Sequence, residues 1–179
     1  CNCELTSHAK NINLFFYKAK KVFYMSEKQK LIYESKLKNL SNGYVLSSIF
    51  KKNTIDYIKS LSKPKNDKWL IYDTENFLKG TANSVKYAKE NNLDYELFSN
   101  LTHRGTIDRL SKSKGLIFLP NGEDTCPRLV IEARLCGCEL VCNEKVQHLK
   151  EQWFENSKTC LNYLETRAGK FWEIFNESF

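Results

Sequence analysis

Long apolar runs are missing from this 179-residue chain, and the longest ones extend over only a few residues. A helix that spans a membrane needs roughly 20 apolar residues, so the sequence predicts no membrane span, and no signal peptide is recognisable. Internal repeats and low-complexity segments are also missing, which excludes a repeat array. With 41% hydrophobic and 13% aromatic residues, the chain has enough apolar side chains for a core. We therefore expect an ordered cytoplasmic protein, with peripheral association to a membrane left open.

Runs of five or more like charges do not occur either, although the net charge is +7. Lysine and asparagine are spread over the whole chain, so the first interpretation is a lysine-rich surface in contact with solvent. Phosphate-bearing small molecules, nucleic acid and anionic lipid remain as candidate acidic partners. Charge alone does not choose between them.

The cysteine content argues against both a disulfide framework and a metal site. The chain has seven cysteines, an odd number, and three of them crowd into residues 136–142. Free buried thiols in a reducing cytosol fit this spacing better than disulfides do. Cys1-x-Cys3 with His8 has the form of half a zinc site, but a second pair at metal spacing is missing. We therefore predict no bound metal.

Short apolar runs alternate with helical segments through most of the chain. Strands separated by helices of about ten residues predict an α/β fold, with a parallel sheet wound on both faces and right-handed connections. The predicted strands are 22–25, 44–46, 69–72, 95–98, 116–119 and 139–142, and the predicted helices are 26–40, 54–61, 81–90, 106–113 and one that starts at Pro127. The C-terminal part, 145–179, is predicted to be helical with a heavily aromatic face.

Segment 114–142 has the pattern strand, polar turn, helix, strand. The apolar run 116–119 has the form of a strand buried on both faces, and a proline-asparagine-glycine turn ends it. Pro127 stands where the first residue of a helix would be, with Thr125 or Cys126 as its cap. Ligands of open α/β sheets bind at the carboxyl ends of the strands, so this polar turn is a candidate site.

The start of the predicted helix favours an anion. Its free N–H groups and its dipole attract negative charge, such as that of a phosphate. Arg128 lies in the first turn, where the dipole alone would favour an acidic residue. This misplaced charge points to a ligand anion. A salt bridge from Arg128 to Glu123 or Asp124 is the alternative explanation.

Four short runs occur together in this region. They are Phe118-Leu-Pro120, Glu123-Asp-Thr-Cys-Pro127, Ile131-Glu-Ala133 and Cys136-Gly137. In this combination they resemble the donor-binding half of GT-B glycosyltransferases of the GT4 type, in which an acidic residue precedes a Glu-Ala-x-x-x-Gly run by eight positions. Asp124 and Glu132 have that spacing, and Lys79-Gly80 matches the Lys-Gly that follows the first strand of the family's donor domain. The resemblance covers about residues 44–150.

The resemblance implies a nucleotide-diphosphate sugar as substrate, and a retaining transfer that needs no metal or other cofactor. Glu132 would hydrogen-bond the ribose hydroxyls, Asp124 would hold hydroxyls of the donor hexose, and Lys79 would neutralise the diphosphate. These three are the predicted catalytic residues. The predicted donor-binding set also contains Gly80, Asn121, Glu123, Thr125, Cys126, Pro127 and Arg128.

Two positions depart from the family. Asp124 stands where the family usually has glutamate, so its carboxylate reaches less far unless Glu123 takes its place. Asp73-Thr74 replaces a Gly-Arg that precedes the family's Lys-Gly, so an arginine that binds the diphosphate is missing. Arg128 would supply that charge from the other side of the site. We therefore predict that Arg128 and Lys79 converge on one diphosphate.

The resemblance also implies that the chain consists of three parts. Residues 1–47 would be the end of an N-terminal acceptor domain with a linker, residues 48–150 a Rossmann-like donor domain that forms one half of a GT-B fold, and residues 151–179 C-terminal helices that pack back on the sheet or on the missing domain. Because the chain begins with Cys1, we expect a fragment that binds the donor without completing transfer. A saccharide, lipid-linked or protein acceptor would bind through the missing domain.

Two other functions compete with this interpretation. A non-catalytic basic module for nucleic acid or an anionic polymer would need lysine and arginine on one face with exposed aromatic residues between them. A protein kept only as a scaffold would retain the fold without ligand binding. Nucleic acid is the less favoured partner, and no role is predicted for His103 or His148.

Overall fold

The structure is a computed structural model that describes residues 9–37, 42–61 and 64–177, with side chains from residue 14 onward. Cys1, Cys3 and His8, which have the form of half a zinc site in sequence, lie outside these ranges, as does the end of the helix predicted at 26–40. Within the ranges, no group of three or more His, Cys, Asp or Glu residues is placed to hold a metal. No helix of the described part is long and apolar enough to cross a membrane.

The chain is α/β, with strands and helices in alternation. In chain order the elements are α1 (Ala9–Lys18), β1 (Val22–Tyr24), α2 (Glu27–Lys36), β2 (Gly43–Val45), α3 (Lys52–Ser60), β3 (Trp69–Tyr72), α4 (Thr81–Glu90), β4 (Tyr95–Phe98), α5 (His103–Lys112), β5 (Gly115–Phe118), α6 (Arg128–Leu135), β6 (Glu139–Cys142) and α7 (Ser157–Asn176). Short 3-10 turns occur at Phe77–Lys79, Gln147–Lys150 and Gln152–Phe154. The bounds predicted for β3, β4, β6 and α4 are confirmed. The C-terminal part differs from prediction, because one α-helix follows two 3-10 turns.

The N-cap residues of α5 and α6 determine where these two helices begin. Thr102 accepts a hydrogen bond from the backbone N–H of Gly105, so α5 starts three residues earlier than the predicted 106–113. The predicted start of α6 is one residue too early. Pro127 is the N-cap, with an extended ψ of 113°, and its carbonyl accepts from the backbone N–H groups of Val130 and Ile131. Neither Thr125 nor Cys126 caps this helix.

Four parallel strands form the main sheet, in the order β4-β3-β5-β6. The chain builds outward from β3 to β4, then crosses back to the other side of β3 to form β5 and β6. The direction of winding therefore reverses between β3 and β5, where open α/β sheets leave a crevice at the carboxyl ends of the strands. A separate two-stranded parallel sheet pairs β1 with β2.

Apolar side chains cover both faces of the central strands β3 and β5, as buried parallel strands require. Leu70 and Leu116 face the larger core, where they meet residues of α6 and α7 such as Val130. Their neighbours Ile71 and Ile117 face the opposite core, with Ala88 of α4. Helices thus lie on both faces, as predicted, and the crevice between β3 and β5 opens where α4 and α6 begin.

Candidate functional site

A cavity of about 360 Å³ opens at the carboxyl ends of β3, β4 and β5. The last residues of these strands, Tyr72, Phe98 and Phe118, line it, and the rings of Tyr72 and Phe98 lie 5.6 Å apart. Charged side chains from the following segments, among them Lys79 and Glu132, line it as well. This combination of aromatic surface and a few polar groups is typical of a ligand site at a switch point.

A tight turn after β3 brings Lys79 to this cavity. The Asn76 side chain accepts from the backbone N–H of Leu78 at the start of the 3-10 turn. Gly80 ends the turn with a φ of 70°, and a Cβ atom there would lie 1.9 Å from the carbonyl oxygen of Leu119. Only glycine permits both the positive φ and this close approach. The Lys-Gly pair therefore packs directly against the end of β5.

Lys79 forms an ion pair with Asp124, with 2.7 Å between Nζ and Oδ2. The Asp124 backbone is held in place, because its N–H donates to the carbonyl of Lys145 and its carbonyl accepts from the N–H of Gln147. A second cavity of about 220 Å³ is lined by Lys79, Asp124 and Thr125. Since Lys79 lines both cavities, the two cavities are neighbours.

Glu132 is the most buried charged residue at the site, with 3% of its surface exposed. Its Oε1 accepts from Nε2 of His103 at 2.6 Å and from Nε of Arg128 at 3.0 Å. The Arg128 guanidinium also lies 4.3 Å from the centre of the Phe50 ring. The partner of Arg128 is therefore Glu132, one helical turn away, and the salt bridge predicted as an alternative, to Glu123 or Asp124, is wrong.

Glu123 points to a different set of partners. It pairs with Lys28 of α2 at 2.9 Å and accepts from Nε2 of Gln147 at 2.9 Å. Burial raises the pKa of the Glu123 carboxyl, but the hydrogen bonds from Lys28 and Gln147 outweigh that effect and hold the pKa below its usual value. Glu123 lines the smaller cavity together with Asp124, but Asp124 is the carboxylate that pairs with Lys79 there.

The remaining predicted residues fall into two groups. Pro127 lines the larger cavity and Thr125 the smaller one. The Asn121 side chain instead joins two turns, because it donates to the carbonyl of Phe77 and accepts from Asn83. The Cys126 thiol is buried in the core beside the hydroxyl of Ser48, and burial raises its pKa. Neither Asn121 nor Cys126 lines either cavity with its side chain.

His103 is the functional candidate for which the sequence predicted no role. It is the first residue of α5, and its half-exposed side chain lines the larger cavity. No sequence motif relates the position of His103 to that of Glu132. The one available signal was its place just after β4, at the same edge of the sheet as the other polar residues.

Lys79 and Arg128 line the same cavity, but each is paired with its own carboxylate. The two cations therefore stand in the same compartment, as a common anionic ligand would require.

Comparison with protein-family models and with curated protein sequences finds no significant match for this chain. The resemblance to glycosyltransferases consequently depends on the motif residues alone.

Proposed function

We propose that this chain binds a nucleotide-diphosphate sugar in the crevice between β3 and β5, as the donor domain of a retaining glycosyltransferase. The sheet would then be the Rossmann-like half of a GT-B fold. The observation that carries the proposal is the placement of Lys79, which contacts Asp124 and lines one cavity with Glu132. Lys79 comes from a different segment than Asp124 and Glu132, and all three match the family pattern in sequence. Their proximity supports a common ligand.

The charges around the cavity suit a diphosphate. Lys79, Arg128 and the free N–H groups at the start of α6 all contribute positive potential there. Both cations are only partly buried, so exchanging a carboxylate partner for a phosphate requires little desolvation. When the diphosphate takes Lys79, Asp124 is released to accept from hydroxyls of the sugar.

The same groups would assist the transfer reaction. A leaving diphosphate gains negative charge in the transition state, and fixed cations and N–H donors stabilise that charge without a metal ion. The aromatic rings of Tyr72 and Phe98 offer apolar surface for the base or the sugar. The retaining course of the reaction follows from the family resemblance alone.

Calorimetric titration of the chain with UDP, GDP and dTDP tests this function directly. We expect at least one nucleoside diphosphate to bind, and the corresponding nucleoside to bind more weakly because it lacks the diphosphate. RNA and single-stranded DNA titrated at several salt concentrations provide the comparison. A basic nucleic-acid module would bind these polymers in a strongly salt-dependent way. Such binding, together with no response to any nucleotide at millimolar concentration, would exclude the donor-domain function.

A further inference from the structure

Both donors that reach Glu132 converge on the same carboxylate oxygen. His103 Nε2 and Arg128 Nε lie 2.6 and 3.0 Å from Oε1, and no group in the described part of the chain donates to Oε2. An ionised carboxylate has about four lone-pair sites, two on each oxygen. Because arginine has donors only, Oε1 acts as the acceptor for Arg128, and His103 donates to its second site. Oε1 is therefore saturated, while Oε2 keeps two acceptor sites.

Burial makes these two remaining sites important. The Glu132 side chain is 4% exposed, whereas those of His103 and Arg128 are 48% and 47% exposed. Little solvent reaches the Glu132 side chain at this exposure, so an acceptor site that a bound ligand covers without filling costs binding free energy. A ligand in this cavity is therefore favoured when it brings two hydroxyl donors to Oε2.

We propose that His103 is a positioning residue that holds Oε1 of Glu132, so that Oε2 receives the two adjacent hydroxyls of a ribose. The site then prefers ribonucleotides to 2′-deoxyribonucleotides, because a deoxyribose leaves one acceptor site of a buried carboxylate empty. This inference rests on the proposed function, which supplies the nucleotide.

His103 is better suited to this task than Arg128. The diphosphate of the ligand competes for Arg128, whereas the imidazole of His103 has no such competitor at the ribose. The backbone at His103 is also fixed, because the hydroxyl of Thr102 caps α5 by accepting from the N–H of Gly105 at 3.1 Å. When Arg128 turns to the diphosphate, Oε1 loses one of its two donors, but His103 still holds it, so Oε2 remains the oxygen with both acceptor sites open.

The test compares matched ribo and deoxyribo ligands, such as UDP and dUDP, or the equivalent pair for whichever base binds. Four proteins are titrated calorimetrically: the wild type, His103→Leu, His103→Gln and Arg104→Leu. The last is a matched control, because the adjacent Arg104 lies over the Tyr57 ring at 4.3 Å and does not contact Glu132. Folding of every variant is checked by circular dichroism.

We expect the wild type to bind the ribonucleotide about tenfold or more tightly than its deoxy counterpart, as the loss of one hydrogen bond to a charged group predicts. His103→Leu should lose about tenfold in ribonucleotide affinity and little in deoxynucleotide affinity, so that the two come within about threefold. His103→Gln should restore the preference, because its amide N–H donates from a similar position. Arg104→Leu should behave as the wild type.

The possible failures are distinguishable. A wild type that binds no nucleotide contradicts the proposed function and this inference together. A wild type that binds nucleotides, with the same preference in His103→Leu, contradicts only the role of His103. Equal binding of the two sugars by the wild type contradicts the ribose preference. If His103→Leu does not fold, His103→Ala provides the same comparison.

Discussion

At the scale of single residues, Glu132 shows why a carboxylate is needed in this place. Its Oε1 receives two donors, His103 and Arg128. A glutamine would keep one acceptor oxygen. Its NH₂ group would either face the donors of His103 and Arg128 or take the place of the acceptor oxygen Oε2. The negative charge and its acceptor sites therefore require a carboxylate.

Glu132→Gln is expected to weaken nucleotide binding by about 1–2 kcal/mol, because a charge-assisted acceptor is lost. The free energy of unfolding should fall by less than about 1 kcal/mol, since both partners of Glu132 are half exposed. Calorimetry with the bound nucleotide and urea unfolding measure the two effects separately. If the variant unfolds while its folded fraction binds as the wild type does, Glu132 has only a structural role.

Lys79→Met and Arg128→Met are each expected to weaken binding of the nucleoside diphosphate by roughly 1–3 kcal/mol, because in the proposed function each cation contacts the diphosphate. Affinity for the bare nucleoside should barely change. Lys89→Met is the control, because Lys89 is exposed in the last turn of α4, away from the cavity. Normal UDP or GDP binding by Arg128→Met would show that this arginine does not compensate for the one missing after β3.

At the scale of elements, turns position the site more than the regular strands do. Lys79 approaches Asp124 because the 3-10 turn after β3 ends at Gly80, which lies against the two residues just after β5. The hydroxyl of Ser84 links the two sides of this contact, because it accepts from the N–H of Leu119 and donates to the carbonyl of Gly80. A substitution where Gly80 contacts Leu119 should therefore affect both the stability of the fold and the position of Lys79.

Gly80→Ala is expected to destabilise the fold by about 2–4 kcal/mol, because its Cβ would meet the Leu119 carbonyl and the φ of 70° disfavours alanine. Gly169→Ala, in the middle of α7, is the matched control. No atom lies within 4 Å of a Cβ there, so alanine should stabilise the helix by about 0.5–1 kcal/mol. Urea unfolding measures both changes. Similar small effects for the two variants would contradict the close contact at Gly80.

At the scale of the whole molecule, His148 ties the C-terminal segment to the core. The ring is fully buried, stacks on Trp153 at 5.4 Å and meets Phe154 edge-on at 4.5 Å. Trp153 in turn stacks on Tyr163 of α7. Burial lowers the pKa of His148 from 6.5 to about 4, so the folded protein keeps this imidazole neutral in conditions where the unfolded chain would protonate it.

The stabilising contribution of neutral His148 is fully present above pH 6.5 and is lost as the pH falls from 6.5 towards 4. Its full size is on the order of 3 kcal/mol. His148→Phe keeps the ring contacts without the titration, so its stability should decline less over this range than that of the wild type. Urea unfolding at a series of pH values measures the difference. Because Glu123 also loses stabilisation in acid, the comparison between the two proteins is what isolates His148.

The sequence by itself determined the features that depend on one continuous segment. The bounds of β3, β4 and α4 follow from short apolar runs, helical periodicity and turn residues, which act locally. The spacing of Asp124 and Glu132 could be recognised because both lie on the continuous stretch from the end of β5 through α6. The starts of α5 and α6 were less predictable, since several neighbouring residues could have served as caps.

Only the tertiary structure decided which segments meet. Strand order placed β3 beside β5, and with it Lys79 beside Asp124. It also brought His103 to Glu132, from an element with no motif, and turned the thiol of Cys126 into the core. Local patterns do not encode such pairings, because each depends on how the helices pack on the two faces of the sheet. The choice of partner for Glu132 is therefore a property of the packed molecule.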